Sequence, residues 1–214
     1  MLRISSGLEE RVNTLSEQSR SSKQRAYRKL KRAEDEQRTR ARIVDAAEAL
    51  HGSVGPAHAS ISAIAERAGV TRATVYRHFP DDESLFLACS GQWLSRQTLP
   101  DVGAWAAIAS PEERLRTGLA DLYRYFRGGH EMLANIERDA AVVPDRVRGA
   151  RLAGERLWRE TLLRGLPHAR RATVRAAVGH ATAFSTWRSL CLGQGLSDRA
   201  AVDLMVAMVL SAVA

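Results

Sequence analysis

Residues 60–79, SISAIAERAGVTRATVYRHF, decide the fold. Ile61, Ile64, Ala65 and Ala68 recur at helical spacing, with Ser62, Glu66 and Arg67 between them. Ser60 stands where its hydroxyl can accept an unpaired backbone N–H of the first turn. Gly69 follows, at a position that favours a residue tolerant of the left-handed conformation. Val70 supplies an apolar plug, and Thr71 can cap a second helix. That helix places Arg72, Thr74, Tyr76, Arg77 and His78 around an inward Val75, and no acid occurs from Thr71 to Phe79. Carboxylates there would be repelled by phosphates. Helix, glycine turn and a donor-rich helix together predict a helix-turn-helix that reads DNA. A plain pair of core helices joined by a glycine shares the spacing. It has no reason to carry such a row of donors.

Residues 68–85, AGVTRATVYRHFPDDESL, resemble the DNA-binding core of TetR-family transcriptional regulators, and the upstream helix 41–50, ARIVDAAEAL, is similar to that family's first helix. The clear match covers about residues 37–97. The resemblance implies an all-α chain: a three-helix helix-turn-helix domain at 37–97, then a helical effector-binding and dimerisation domain at 98–214. Residues 1–36 lie outside that pattern and read as an extra, basic, partly helical arm. By the same resemblance Arg38, Arg40, Ser60, Thr71, Arg72, Ala73, Thr74, Tyr76, Arg77 and His78 are the DNA-binding candidates. Arg72 is the first choice for a base contact, since a guanidinium pairs twice with guanine. Tyr76 and His78 are expected on the backbone. One departure stands out: Asp82 lies about where the family often carries a phosphate-binding lysine.

The charge agrees with a polyanionic partner. The 214 residues carry a net charge of +8 with a pI near 10.3. Residues 1–40 hold eleven basic residues against six acids, over half of the excess. Residues 20–32 are basic, broken only by Ser, Gln, Ala, Tyr27 and Leu30. Ser6-Gly7-Leu8-Glu9 has capping-box spacing, so a helix can start there. Leu8, Val12 and Leu15 form one apolar stripe that Ser19 and Ser22 end, too short for a coiled coil. The arm is expected either to touch DNA backbone or to stand as a solvated tail.

Apolar residues make up 45% of the chain, enough for a real core. Met1–Val12 has no apolar run, so no secretory signal is expected, and Leu204–Ala214 is too short to span a bilayer. Cys89 and Cys191 then read as reduced core thiols of a cytoplasmic protein.

Downstream, the pattern predicts a first domain helix at Arg38–His51, a turn cluster at Gly52–Pro56, and a helix at Glu83–Gln97. Another starts at Ser110-Pro111 and ends at Gly128-Gly129, followed by one at His130–Val143. A helix after Pro144 runs to about Leu166, a long one covers His168–Leu192, and Asp198–Val213 closes the chain. The last is apolar nearly all round and must be buried. The resemblance implies a homodimer through the last two helices, two reading helices on a near-palindromic double-stranded operator, and release by a small-molecule effector. Trp93, Tyr123, Phe126, Met132, Ile136, Trp158, His180, Phe184 and Trp187 are the pocket candidates, with Arg138, Asp139 and Arg188 as further polar handles. Each large candidate alone reads as ordinary core before it reads as pocket, and Arg138, Asp139, Arg188 and His180 read equally as surface or ion-paired residues.

No metal spacing, phosphate-cradling loop or nucleophile motif occurs, so neither cofactor, metal nor catalytic residue is expected, and the chain reads as no enzyme. The rival reading is an interaction protein whose basic arm binds an acidic partner or membrane surface, with the helix-turn-helix kept as scaffold.

Overall fold

A computed structural model describes the backbone of residues 5–214 and the side chains of residues 24, 25 and 27–214. The Leu8, Val12 and Leu15 stripe and the Ser6 capping box therefore lie outside the described side chains. The described chain is all helical. Helix α1 covers Ser5–Ser53, followed by a 3-10 turn at Pro56–His58, α2 at Ile61–Ala68, α3 at Arg72–His78 and α4 at Asp82–Ser95. The body adds α5 at Val102–Ala107, α6 at Pro111–Arg138, α7 at Asp145–Leu163, α8 at Ala172–Ala181, α9 at Phe184–Trp187 and α10 at Asp198–Val213. A π-helical turn, Arg188–Gly193, continues α9.

Local signals placed most helix ends. Ser60 accepts from Ala63 N, Thr71 from Thr74 N, Ser110 from Glu113 N and Ser197 from Ala200 N. Each satisfies one of the donors a helix start leaves unpaired. Gly69 adopts φ 64° and ψ 41°, the left-handed stop between α2 and α3.

Three expectations are corrected. Residues 5–53 form one uninterrupted helix, so the arm and the first domain helix are a single element rather than two. Helix α6 passes through Gly128-Gly129 without a break. Gly129 is needed for close approach instead: a Cβ there would stand 2.7 Å from the Trp93 ring of α4. The long helix expected over His168–Leu192 is divided. The Thr182 hydroxyl donates back to the Val178 carbonyl at 2.9 Å, α8 stops, and the chain restarts at Phe184.

Two cores result. Ile43, Ala47, Ile64, Val75, Phe79 and Leu85 pack the head formed by α1–α4. Trp105, Leu119, Tyr123, Leu162, Val178, Trp187 and Val206 belong to the core of the body, through which α6 runs. Helix α10 buries Ala201, Val202, Met205, Val206 and Val209 inside its own chain. Its apolar character is thus largely used within the chain, and Leu204 remains as an exposed ridge. Among the described residues, no helix is long and apolar enough to cross a membrane.

Candidate nucleic-acid interface

The reading helix α3 is anchored on one side only. Val75 is buried and Phe79 just beyond the helix is 2% exposed, while Thr71, Arg72, Ala73, Tyr76 and Arg77 are all exposed. Thr74 and His78 are half-buried. Thr71 is committed locally, because its Oγ1 accepts from Thr74 N at 3.2 Å and meets Thr74 Oγ1 at 3.0 Å. Ser60 is likewise occupied as a cap. Nε2 of His78 is sheltered and is the one buried side-chain polar atom, among the described residues, without a hydrogen-bond partner.

The flanking candidates separate. The Arg40 guanidinium lies over the Phe79 ring, 4.6 Å from its centre, so α1 crosses beside the far end of α3. Arg38 pairs with Asp35 at 3.5 Å on an exposed surface, a weak contact that DNA could displace. Asp81 caps α4 by accepting from Ser84 N at 2.7 Å. Asp82 and Glu83 fill the first turn of that helix. The acids after the reading helix are therefore explained as helix-start residues, where negative charge suits the dipole.

A joint ties the head to the body. Asn135 of α6 donates to the carbonyls of His51 at 3.1 Å and Gly52 at 2.7 Å. Arg138 donates to the Val54 carbonyl at 2.8 Å and to both oxygens of Asp139. Asp139 in turn accepts from the backbone N–H of Ala57 at 3.1 Å, and the Arg138 hydrogen bonds hold its carboxyl down at about 2. Gly55, at φ 91°, packs against this pair, and a Cβ there would collide with both side chains. Arg138 and Asp139 thus serve the joint. Beside it, His51 is buried, lies tilted against Phe86 with ring centres 4.8 Å apart, and lies 3.3 Å from the Cys89 sulfur. Burial lowers the imidazole to about 4 and raises the thiol to about 12.

The pocket candidates fall into four groups. Phe126, Ile136, Trp158 and Phe184 line a cavity of about 230 Å³ between α6, α7 and the restart of α9. Tyr125, Leu133, Glu137, Arg151, Glu155 and Arg159 also line it, and none of these was singled out from the sequence. Arg151 and Glu155 pair across one turn of α7 at 3.1 Å, a spacing that could have drawn notice. Trp93 and Met132 line a different space, an open cleft of about 650 Å³ between α1, α4 and α6. Tyr123 and Trp187 are core residues with their polar atoms committed: Tyr123 donates to the Ala181 carbonyl at 3.0 Å and Trp187 Nε1 to Asp198 at 2.9 Å. His180 is exposed, with Nδ1 3.2 Å from Thr186 Oγ1. Arg188 is exposed, its guanidinium 5.8 Å from the centre of the Phe184 ring. No group of three or more His, Cys, Asp or Glu among the described residues could hold a metal ion.

Comparison with known proteins agrees with this geometry. Residues 43–89 match the family model for bacterial regulatory proteins of the tetR family. No curated protein sequence matches the chain. Among solved structures, a TetR-like transcriptional regulator from Rhodococcus sp. RHA1 aligns with TM-score 0.57 and 22% identity, over 80% of this chain and 93% of the other. The TetR-family regulator PfmR from Thermus thermophilus aligns with TM-score 0.54 and 20% identity, over 77% and 94%. The regulator FadR from Bacillus subtilis, solved in complex with stearoyl-CoA, aligns with TM-score 0.55 and 17% identity, over 81% and 99%. Residues 43–89 thus match the reading head of the tetR-family model, and the fold around them is similar to that of these regulators.

Proposed function

We propose that this protein is a sequence-specific DNA-binding repressor that works in the cytoplasm, is not an enzyme, and is released from its operator by a small molecule. One observation carries the DNA reading: α3 buries Val75 and turns Arg72, Ala73, Tyr76 and Arg77 outward, with no acid on the helix. Arg72 at the helix start reaches base edges in the major groove. Tyr76, Arg77 and Arg40 meet phosphates and set the register. Two copies join through α8, α10 and the segment between them. The exposed Leu192 and Leu204, each 47% accessible, support that face.

The effector enters the cavity between α6, α7 and α9. Its walls are aromatic, with Arg151 and Glu155 at hand for a polar group. The stearoyl-CoA complex of the Bacillus subtilis regulator supports a ligand role for a body of this fold. Helix α6 connects the two sites. Phe126, Leu133 and Ile136 face the cavity, while Asn135, Arg138 and Asp139 hold the head. A ligand that shifts α6 changes the head's position, and DNA then opposes the ligand by the same factor.

Selection of bound duplexes from a random pool by the full-length protein tests this reading. The expected product is a near-palindrome with half-sites about one helical turn apart. Recovery without enrichment overturns the sequence-specific reading. A single asymmetric site overturns the dimer.

A further inference from the structure

Residues 24–38 of α1 form a helical extension of the reading head. Every described side chain from residue 24 to residue 38 is exposed. The same helix is buried at Ile43, Val44, Ala46 and Ala47, and the joint holds its far end. Its direction follows from two anchors. The carboxy-terminal end of α1 is bonded to α6 through His51 and Gly52, on the body side. Arg40 lies over Phe79, at the end of the reading helix. A helix that runs from the body to the end of α3 and continues without a break must go on past α3, away from the body. On the reading proposed for α3, the duplex lies beyond the same end of the head.

The charge changes along this extension. Residues 33–36 hold three acids, Glu34, Asp35 and Glu36, and Asp35 is paired with Arg38. Residues 20–32 hold seven basic residues and no acid. Within that run Arg25, Arg28, Lys29 and Arg32 are spaced by three, one and three residues, which sets them on one side of the helix. The middle of the run stands about 20 Å beyond Arg40 at the helical rise. That exceeds the roughly 12 Å width of a major groove. A segment carried that far from Arg40 can meet phosphates outside the groove assigned to α3.

We propose that this segment is a second, sequence-independent DNA contact, which lays Arg25, Arg28, Lys29 and Arg32 on the phosphates flanking each half-site. It rests on the reading of α3 as the DNA-binding helix. The unbroken helix sets its place: the contact falls at one distance outside the half-site rather than over a range of positions. It neutralises phosphates and so adds affinity and salt dependence without altering which sequence is preferred.

The test uses full-length protein on a duplex carrying its selected site and on a random duplex of equal length. Changing Arg25, Arg28, Lys29 and Arg32 together to Gln removes charge from an exposed helix and leaves both cores untouched. We expect affinity for both duplexes to fall by a similar factor, with the log–log salt slope shallower by roughly 0.9 for each phosphate no longer neutralised. Hydroxyl-radical footprints should lose protection at the outer flanks and keep it over the half-sites. A second variant, Ala33→Pro, retains every charge and bends the helix along its exposed stretch. It should keep most of the salt slope and lose the sharp flank protection. An unchanged slope and footprint in the quadruple variant overturns the proposal. So does a loss confined to binding of phosphatidylserine vesicles. Failure of the α3 reading looks different, because the intact protein then shows no preference between the two duplexes.

Discussion

In the body, Tyr123, Trp187 and Asp198 turn their polar atoms inward and find partners there. In the head, Arg72, Tyr76 and Arg77 turn theirs outward, where no other described residue bonds them. Asp198 shows the first habit. It accepts from Trp187 Nε1 and from two nitrogens of Arg127, whose guanidinium also faces the Trp187 ring at 5.4 Å. Three helical elements are thereby locked by one carboxylate. Helix α3 shows the second habit, with a single buried anchor and a polar face held ready for a partner. Committed polar groups specify a structure. Uncommitted donors in a row specify an encounter.

The largest expected effect lies on the committed side. Trp187 is fully buried, so Trp187→Ala should cost about 4 kcal/mol through lost packing and a stranded Asp198. Urea unfolding measures it, and a cost below about 1 kcal/mol would break the comparison at its strongest point.

The pH dependence of stability is next. Burial holds His51 at about 4, against 6.5 when exposed. Its neutral form is favoured in the folded protein, so its contribution is complete above pH 6.5. That contribution falls as the unfolded chain takes up protons between 6.5 and 4. The loss from pH 7.5 to pH 5 should be roughly 2 kcal/mol. His51→Phe, which retains a ring against Phe86, should flatten that profile, and melts between pH 5 and 8 show whether it does.

The smallest effect belongs to the open face. Tyr76→Phe removes one hydroxyl from an exposed ring. It should leave stability unchanged within about 0.5 kcal/mol and weaken specific and random DNA alike by roughly 1 kcal/mol. A selective loss on the specific site would turn Tyr76 from a phosphate contact into a base reader.

The two regions also differ in how far their sequences reveal them. The head is legible because its signals are local. Ser60, Gly69 and Thr71 act within three or four residues of themselves, and each acts in the structure as its type suggests. The body is less so, because its decisive contacts join distant residues. Gly128-Gly129 has the look of a helix end, yet Gly129 is small to admit Trp93, thirty-six positions away in the chain. Asn135 and Asp139 resemble ordinary surface residues until the fold sets them against His51 and Ala57. Tyr125 and Tyr123 sit two residues apart on α6, and nothing in their neighbourhood tells which one lines a cavity and which one is core. The continuity of α1 is hidden for a third reason: a polar helix with no buried face carries no periodic signal.

The central claim is that α3 reads base edges, and Arg72→Ala tests it most directly. Competitive binding of the variant to its selected duplex and to random duplex of equal length compares the two affinities. The claim predicts a loss of about 1–3 kcal/mol on the selected site and a much smaller loss on random DNA. An equal loss on both would make Arg72 a phosphate contact and would contradict the claim.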